Sequence, residues 1–153
     1  MRVFLVLTAV VLAGCASAPP PPPPVEKPEP DPAKEAWYQP ATEELAALNR
    51  DAEDLLRRGK PDDAAALITK GQPVMNRLLT APRPTLAAMK AASDLDDLYG
   101  RMLLSNKNYG WARLQFQKNV SRWKGWTPQT PETARRRKLA ESRLADCDRA
   151  LAQ

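Results

Sequence analysis

The sequence predicts an all-α domain, and three observations support this fold class. From position 41 onward, alanine, leucine and charged residues recur at helical spacing. Proline or glycine marks the breaks between these stretches, and no stretch alternates apolar and polar residues as a strand does. Two of the resulting helical hairpins repeat one another at an offset of 48 residues. We therefore expect five helices packed as antiparallel hairpins, with a C-terminal capping helix over the exposed end.

The first predicted helix begins at Thr42 and ends at Gly59. Threonine is a favoured N-cap, the two glutamates that follow suit the positive end of the helix dipole, and glycine is a common C-terminal stop. One face of this helix carries an apolar stripe, which consists of Leu45, Leu48, Ala52, Leu55 and Leu56.

The second predicted helix begins at Pro61, because proline is favoured in a first turn, and continues through Leu79. Gly71 and Pro73 are expected to weaken or kink it, since glycine is flexible and proline lacks the backbone N–H. Its apolar face consists of Ala64, Leu67 and Ile68.

Three further helices are predicted after the prolines at positions 82 and 84. The third runs from Thr85 to Ser105 and the fourth from Asn108 to Trp123. The fifth begins at Thr130, where a capping threonine, a first-turn proline and an early glutamate follow one another, and it continues to the C-terminus.

The two hairpins carry matching residues at the offset of 48. A small residue lies midway along the first helix of each, Ala52 in one and Gly100 in the other. The other matched pairs are Leu55 with Leu103, Leu56 with Leu104, Ala64 with Ala112, and Ile68 with Phe116. A small residue lets two antiparallel helices approach closely, and a large one beside it fills the remaining groove.

These positions resemble a tetratricopeptide repeat. In that family a small residue midway along the first helix is followed by a tight turn, an alanine early in the second helix, and a large residue four positions later. The matching residues are Ala52, Gly59, Ala64 and Ile68 in the first unit, and Gly100, Tyr109, Ala112 and Phe116 in the second. The resemblance implies hairpins that bury their faces by stacking on their neighbours.

The chain also departs from that family. The family repeats every 34 residues, whereas about 14 more separate the two units here, and the proline that closes a family repeat is missing after the first unit. A generic five-helix bundle therefore remains a second interpretation, because periodic leucines and alanines occur in any buried helix.

The start of the chain carries a separate signal. Arg2 and an apolar run from Val3 to Val11 precede Leu12-Ala13-Gly14-Cys15. The run is roughly half as long as a membrane-spanning helix requires. A charged start, a short apolar middle and small residues before a cut are typical of a secretory signal, and an ordinary signal peptide with a fortuitous cysteine is the alternative interpretation.

The four residues that end at Cys15 resemble the lipobox of bacterial lipoproteins. The resemblance implies that residues 1–14 are a signal peptide that is removed, that Cys15 receives a diacylglycerol, and that its new amino end is acylated, so that Cys15 holds the protein in a lipid bilayer. Ala16 stands where a retention signal would have aspartate, which implies passage to the outer membrane. The folded domain is then expected in the periplasm.

Residues 15–40 are predicted to be a lipidated N-terminus followed by a proline-rich, disordered tether, and residues 41–153 the helical domain. Prolines fill positions 19 to 24 and recur at 28, 30, 32 and 40, a pattern typical of an extended polyproline II spacer. At about 3.1 Å per residue, positions 18 to 32 would span roughly 45 Å. Docking of this segment to an aromatic groove on a partner is the alternative role.

The charge is uneven along the chain. Residues 25–105 contain 11 basic and 14 acidic side chains, and residues 106–153 contain 11 basic and 4 acidic ones. The run Arg135 to Lys138 points in several directions on a helix, so it is not one patch. A solvated surface is one interpretation of the basic part, and attraction to anionic lipid, cell-wall polymer or an acidic protein is the other. Nucleic acid is not expected as a partner, because the lipidation signal directs the domain out of the cytoplasm.

The aromatic residues are concentrated in the predicted fourth helix and its exit. Tyr109, Phe116 and Trp123 share one helical stripe and are predicted to be core. Trp111 and Trp126 lie off that stripe and are candidates for exposure. The predicted partner-binding residues are Trp111, Arg113, Lys118 and Trp126.

Evidence for an enzyme is weak. The chain has no histidine and no glycine-rich phosphate loop, and Cys147 is the single cysteine left once Cys15 is lipidated. Cys147 shares an apolar face with Leu144 and is predicted to be a buried, inert thiol, with a disulfide or a reactive thiol as the alternatives. No catalytic, metal or cofactor site is predicted, although a hydrolase that uses carboxylates alone stays open.

The acidic group of Asp94, Asp96 and Asp97 is predicted to be solvated. It lies inside a predicted helix and lacks the glycine turn and distal glutamate of a calcium loop.

Together these patterns predict a membrane-anchored, protein-binding adaptor or scaffold of the cell envelope. The alternative is a structural tether whose basic helices contact an anionic cell-wall polymer or a membrane surface. Steep weakening with ionic strength would favour the tether, because charge dominates such binding.

Overall fold

The structure is a computed structural model that describes residues 31–153. A 3-10 turn, Pro32–Lys34, precedes five α-helices, which are α1 (Tyr38–Arg57), α2 (Pro61–Leu78), α3 (Leu86–Ser105), α4 (Tyr109–Gly125) and α5 (Pro131–Leu151). No strand occurs among the described residues, so the predicted all-α class is confirmed. In the same residues, none of the helices combines the length and the apolar character of a membrane span. The predicted signal peptide, Cys15 and the run of prolines lie outside the described residues.

The helices pack in consecutive order. The α1–α2 hairpin and the α3–α4 hairpin stack side by side, α3 contacts both α1 and α2, and α5 lies along α4. One core cluster joins the first hairpin to α3, and a second, smaller one joins α4 to Cys147 of α5. This arrangement is an all-α, repeat-like stack with α3 at its centre.

The turns of the two hairpins have the same geometry at the predicted offset. Gly59 has φ 70° and Lys107 has φ 61°, both left-handed. The next residue in each turn donates a backbone hydrogen bond back to a leucine, Lys60 to Leu55 at 2.9 Å and Asn108 to Leu103 at 2.8 Å. A second hydrogen bond lies inside this one, from Gly59 to Leu56 in the first turn and from Lys107 to Leu104 in the second. The two bonds together define a Schellman helix ending. The repeat in the sequence is therefore a repeat in backbone structure.

The second turn places a lysine where the first has glycine, and this predicts a stabilising substitution. A side chain other than glycine in the left-handed region costs about 1–2 kcal/mol. We expect Lys107→Gly to raise the free energy of unfolding by about 1 kcal/mol, measured by urea denaturation. Gly59→Ala is the matched control and should lower it, although open space surrounds that position. An unchanged stability in both variants would contradict the argument.

The close approach predicted for the hairpins is present in the second unit. A Cβ atom built on Gly100 would lie 2.7 Å from Cε1 of Phe116, nearer than carbon atoms can approach. Phe116 is fully buried. In the first unit the equivalent residues, Ala52 and Ile68, are also buried. Alanine is larger than Gly100 and isoleucine is smaller than Phe116, so the two changes in volume offset one another.

The fold begins earlier than the predicted boundary at position 41. The first helix starts at Tyr38, and Thr42 is not its cap but donates its hydroxyl proton to the Tyr38 carbonyl. Pro40 lies in the first turn, where backbone N–H groups have no partner inside the helix, so it does not interrupt α1.

Tyr38 is buried and donates a hydrogen bond to the Leu78 carbonyl at 3.2 Å. The guanidinium of Arg77 stacks 3.8 Å from the centre of the Trp37 ring. Residues 31–40 therefore belong to the domain and not to the tether.

The second helix runs unbroken through both of its predicted weak points. Pro73 is exposed inside α2, and the helix continues to Leu78. Gly71 lies against the core cluster that joins the first hairpin to α3, where an added Cβ would be 3.0 Å from Leu95 and 3.2 Å from Leu45. The glycine therefore permits close packing, and that packing compensates for the hydrogen bond that the proline cannot form.

Candidate functional site

Trp111 is the most exposed of the large apolar residues in the described part of the chain. Its exposed fraction is 65%, and that of Leu114 on the same side of α4 is 46%. Lys118 lies one turn further along and, with these two, borders a shallow depression of about 610 Å³. We call Trp111, Leu114 and Lys118 the outer face of α4. The prediction that Trp111 and Lys118 share a surface is thus consistent with the structure.

Arg113 is not on the outer face of α4. Its Nε donates to Asp148 Oδ1 of α5 at 2.6 Å, so the side chain lies along the seam between α4 and α5. Arg113 itself does not line the depression beside Trp111, although its Nη1 donates to Gln117, which does. Two positions apart on a helix correspond to about 200°, which directs Trp111 and Arg113 to opposite sides.

Trp126 belongs to a different place. It follows the end of α4 and packs edge-on against Trp123, with 6.3 Å between the ring centres. It lines a crevice of about 770 Å³ whose other wall is the loop between α2 and α3 and the start of α3. The four residues predicted as one binding site are therefore distributed over two surfaces and a helix seam.

Two of the three aromatic residues of α4 that were predicted to be core are buried. Phe116 and Trp123 are fully buried, and the indole N–H of Trp123 donates to the Ser93 hydroxyl at 2.8 Å. Tyr109, at the start of the stripe, is partly exposed.

The predicted solvation of the acidic group on α3 is wrong for Asp96 and holds in part for Asp94, whose side chain is 47% exposed. Asp96 is 1% exposed, and its Oδ2 accepts a hydrogen bond from Arg122 at 2.8 Å. Asp94 accepts from Arg136 of α5 at 2.6 Å. An ionised carboxylate in the interior requires such a partner, because the loss of water is otherwise very costly. The acidic row on α3 thus lies along a structural seam, in which Asp96 is buried and Asp94 is half exposed.

Asp97 is part of the same seam. Its Oδ2 lies 3.0 Å from Nε of Arg101, its Oδ1 lies 3.9 Å from Nε of Arg143 on α5, and Arg101 also pairs with Glu53 of α1. Burial raises the pKa of Asp97 above its ordinary value, and this effect outweighs the two arginines, which act to lower it.

These pairs account for much of the basic character of the C-terminal half. Arg122, Arg136 and Arg143 each face a carboxylate of α3. Arg136 also pairs with Glu132, as does Arg135, so that the basic run at the start of α5 is largely matched by acids. Many of the basic side chains that give the C-terminal half its positive charge are therefore neutralised by nearby carboxylates.

A groove between α1 and α3 contains an unmatched polar atom. The side-chain amide of Asn49 donates to the Ala91 carbonyl at 2.8 Å, which fixes the orientation of the amide. Its Oδ1 is buried and has no hydrogen-bond partner among the described residues. The groove encloses about 430 Å³, and Arg50 and Arg57 stand at its rim.

Cys147 is fully buried in the second core cluster, as predicted. Burial raises the pKa of its thiol, and the adjacent acids Asp146 and Asp148 add to the effect. We expect the thiol to react with a disulfide reagent at pH 8 only at the rate of unfolding, because the thiolate is both disfavoured and enclosed. Fast reaction of the native protein, compared with the urea-unfolded protein, would contradict this prediction.

No group of three or more potential metal ligands comes together in residues 31–153. The fold and its surfaces define an all-α, repeat-like domain with an exposed apolar face on α4. Comparison of the chain with family models, with curated proteins and with solved structures finds no match.

Proposed function

We propose that the protein is a lipid-anchored adaptor of the bacterial cell envelope, which binds another envelope protein through the outer face of α4. The observation that carries the proposal is the 65% exposure of Trp111 beside the exposed Leu114. The buried side of α4 already holds the domain together, so folding does not require an exposed tryptophan on the opposite side. Tryptophan is among the residue types that most often dominate protein–protein binding.

The anchor is proposed from the sequence around Cys15. Acylation would concentrate the domain at the outer membrane, facing the periplasm, and would raise its effective concentration toward partners there. We expect metabolic labelling with a palmitate analogue to mark the protein and Cys15→Ser to abolish the label. An unlabelled wild-type protein, or a labelled variant, would contradict the anchoring part of the proposal.

The structural tether is the less supported alternative. Arg122, Arg136 and Arg143 face carboxylates of α3. The remaining arginines of α4 and α5 pair with acids of α5. Lys118, Lys124 and Lys138 have no carboxylate partner in the described part of the chain and are the cations that such a polymer would find.

The two functions separate in a binding experiment at low and high salt. The chain from residue 15, with Cys15→Ser, is crosslinked to detergent-solubilised envelope, and the retained molecules are identified by mass spectrometry. The adaptor predicts one protein retained at both salt concentrations and reduced at least tenfold by Trp111→Ala, since a central aromatic contact contributes about 2 kcal/mol or more. Arg113→Ala is the matched control on the same helix and should leave retention unchanged.

Two outcomes would redirect the proposal. Retention of cell-wall fragments only at low salt would support the tether. Loss of the partner on Asn49→Leu, but not on Trp111→Ala, would place binding in the groove between α1 and α3 instead of on α4.

A further inference from the structure

The crevice beside Trp126 is a second apolar surface that the proposed function leaves unused. Trp126, Leu79 and Met89 supply its apolar wall, and the two prolines of the α2–α3 loop supply its rim. Its volume of about 770 Å³ lies within the range of ligand sites. The packing of Trp126 against Trp123 holds one edge of the crevice in place.

The chain enters the fold at the same end of the domain. The last residues before α1 pack against the end of α2, since Tyr38 bonds to the Leu78 carbonyl and Arg77 covers Trp37. Leu78 directly precedes Leu79, which lines the crevice. Residues 19–30, which lead into this point, include eight prolines. In a polyproline II conformation they would cover about 37 Å, more than enough to cross the crevice.

The chemistry of the crevice suits a proline-rich strand. Proline rings pack on the faces of aromatic side chains, and the carbonyl groups of polyproline II have no internal hydrogen bonds and accept from indole N–H groups. The indole N–H of Trp123 is bonded to Ser93, whereas that of Trp126 has no acceptor among the described residues. Trp126 thus offers both a ring face and a donor.

The charges around the crevice also favour a proline-rich segment of this chain. Arg83 lines the crevice and has no carboxylate partner in the described residues, while Arg122 is already committed to Asp96. The segment that precedes position 31 contains Glu26 and Glu29 among its prolines, with Lys27 between them. An acidic, proline-rich segment is therefore the complement of an apolar crevice with one free arginine.

We propose that residues 19–30 of this chain dock in the crevice beside Trp126. Because the segment is joined to the domain, its effective concentration is in the millimolar range, so even weak affinity suffices for substantial occupancy. A proline-rich strand also loses little conformational freedom on docking. Docking would shorten the distance between Cys15 and the domain, and release would lengthen it. This inference is independent of the binding role proposed for α4.

The test compares two isotope-labelled proteins by NMR, both running from residue 15 with Cys15→Ser. In one of them the eight prolines of residues 19–30 are replaced by serine, a change outside the described fold. We expect the indole N–H signal of Trp126 and the backbone amide signals of residues 79–89 to shift between the two proteins. The signal of Trp111 is the internal control and should stay in place.

Three further results decide the proposal. Arg83→Glu, an exposed change that leaves the core intact, should move the Trp126 signal of the wild-type segment toward its position in the serine variant. Identical Trp126 signals in the two proteins would overturn the proposal. Shifts that appear only as the protein concentration rises would also overturn it, because the segment would then occupy the crevice of a second copy.

Discussion

Asp96→Ala is expected to lower the free energy of unfolding by about 3–5 kcal/mol, because it leaves a buried guanidinium without its counterion. The side chain of Asp96 is 2% exposed and that of its partner Arg122 is 12% exposed, so water can replace the lost carboxylate only in part. Urea denaturation at pH 7 measures the difference between the variant and the wild type. A loss below 1 kcal/mol would show that the α3 seam does not hold α4 in place.

Two matched variants show that the loss comes from a stranded charge. Asp96→Leu combined with Arg122→Met removes both charges and should recover most of the stability, since apolar replacements of a buried pair are often neutral. Asp54→Ala breaks an exposed pair with Arg58 and should change stability by less than about 1 kcal/mol.

Gly100→Ala is expected to lower the free energy of unfolding by about 1–3 kcal/mol through overpacking. The new methyl group would lie 2.7 Å from two ring atoms of Phe116. The ring is completely buried and packs in one cluster with Cys147, so it cannot move aside without disturbing α5. Thermal and urea denaturation both report this loss.

The first hairpin suggests how to rescue this variant. Its equivalent pair is Ala52 with Ile68, so Gly100→Ala combined with Phe116→Ile installs the same combination in the second hairpin. We expect the double variant to be more stable than the sum of the two single changes implies, by about 1 kcal/mol or more. If the stability changes of the two single variants add exactly in the double variant, the side chains at positions 100 and 116 do not compete for the same space.

The parts of the fold that the sequence predicted are those set by local rules. Thr130 caps α5, accepting from the backbone N–H of Thr133 at 3.2 Å, as its position before a first-turn proline indicated. The offset between the hairpins appears in the backbone as two left-handed turns, at Gly59 and Lys107. Helix spacing, caps and turns depend on residues within a few positions of one another, which a single sequence contains.

The parts that the sequence did not predict depend on which helices meet. Asp96 and Arg122 are 26 positions apart, and their pairing requires the packing of α3 against α4. Their residue types alone are equally typical of a solvated helix. The start of α1 is ambiguous in the sequence for another reason. Pro40 fits the proline-rich spacer, but proline is also tolerated in the first turn of a helix.

The candidate binding site was predicted only in part, and for the same reason. The exposure of Trp111 follows from its position off the apolar stripe of α4, so helical geometry sufficed. Helical spacing alone also separates Arg113 from Trp111. The place of Trp126 beside the α2–α3 loop depends on tertiary packing, which the sequence does not show.

The measurement that tests the adaptor most directly is photocrosslinking in living cells from the outer face of α4. A photoreactive residue is placed at Gln117, an exposed position beside Trp111 and Leu114, and in a second protein at Glu44, exposed on α1. We predict one crosslinked envelope protein from position 117 that is absent from position 44 and lost on Trp111→Ala. Equal crosslinking from both positions, or crosslinks that persist in the Trp111 variant, would contradict a binding role for this face.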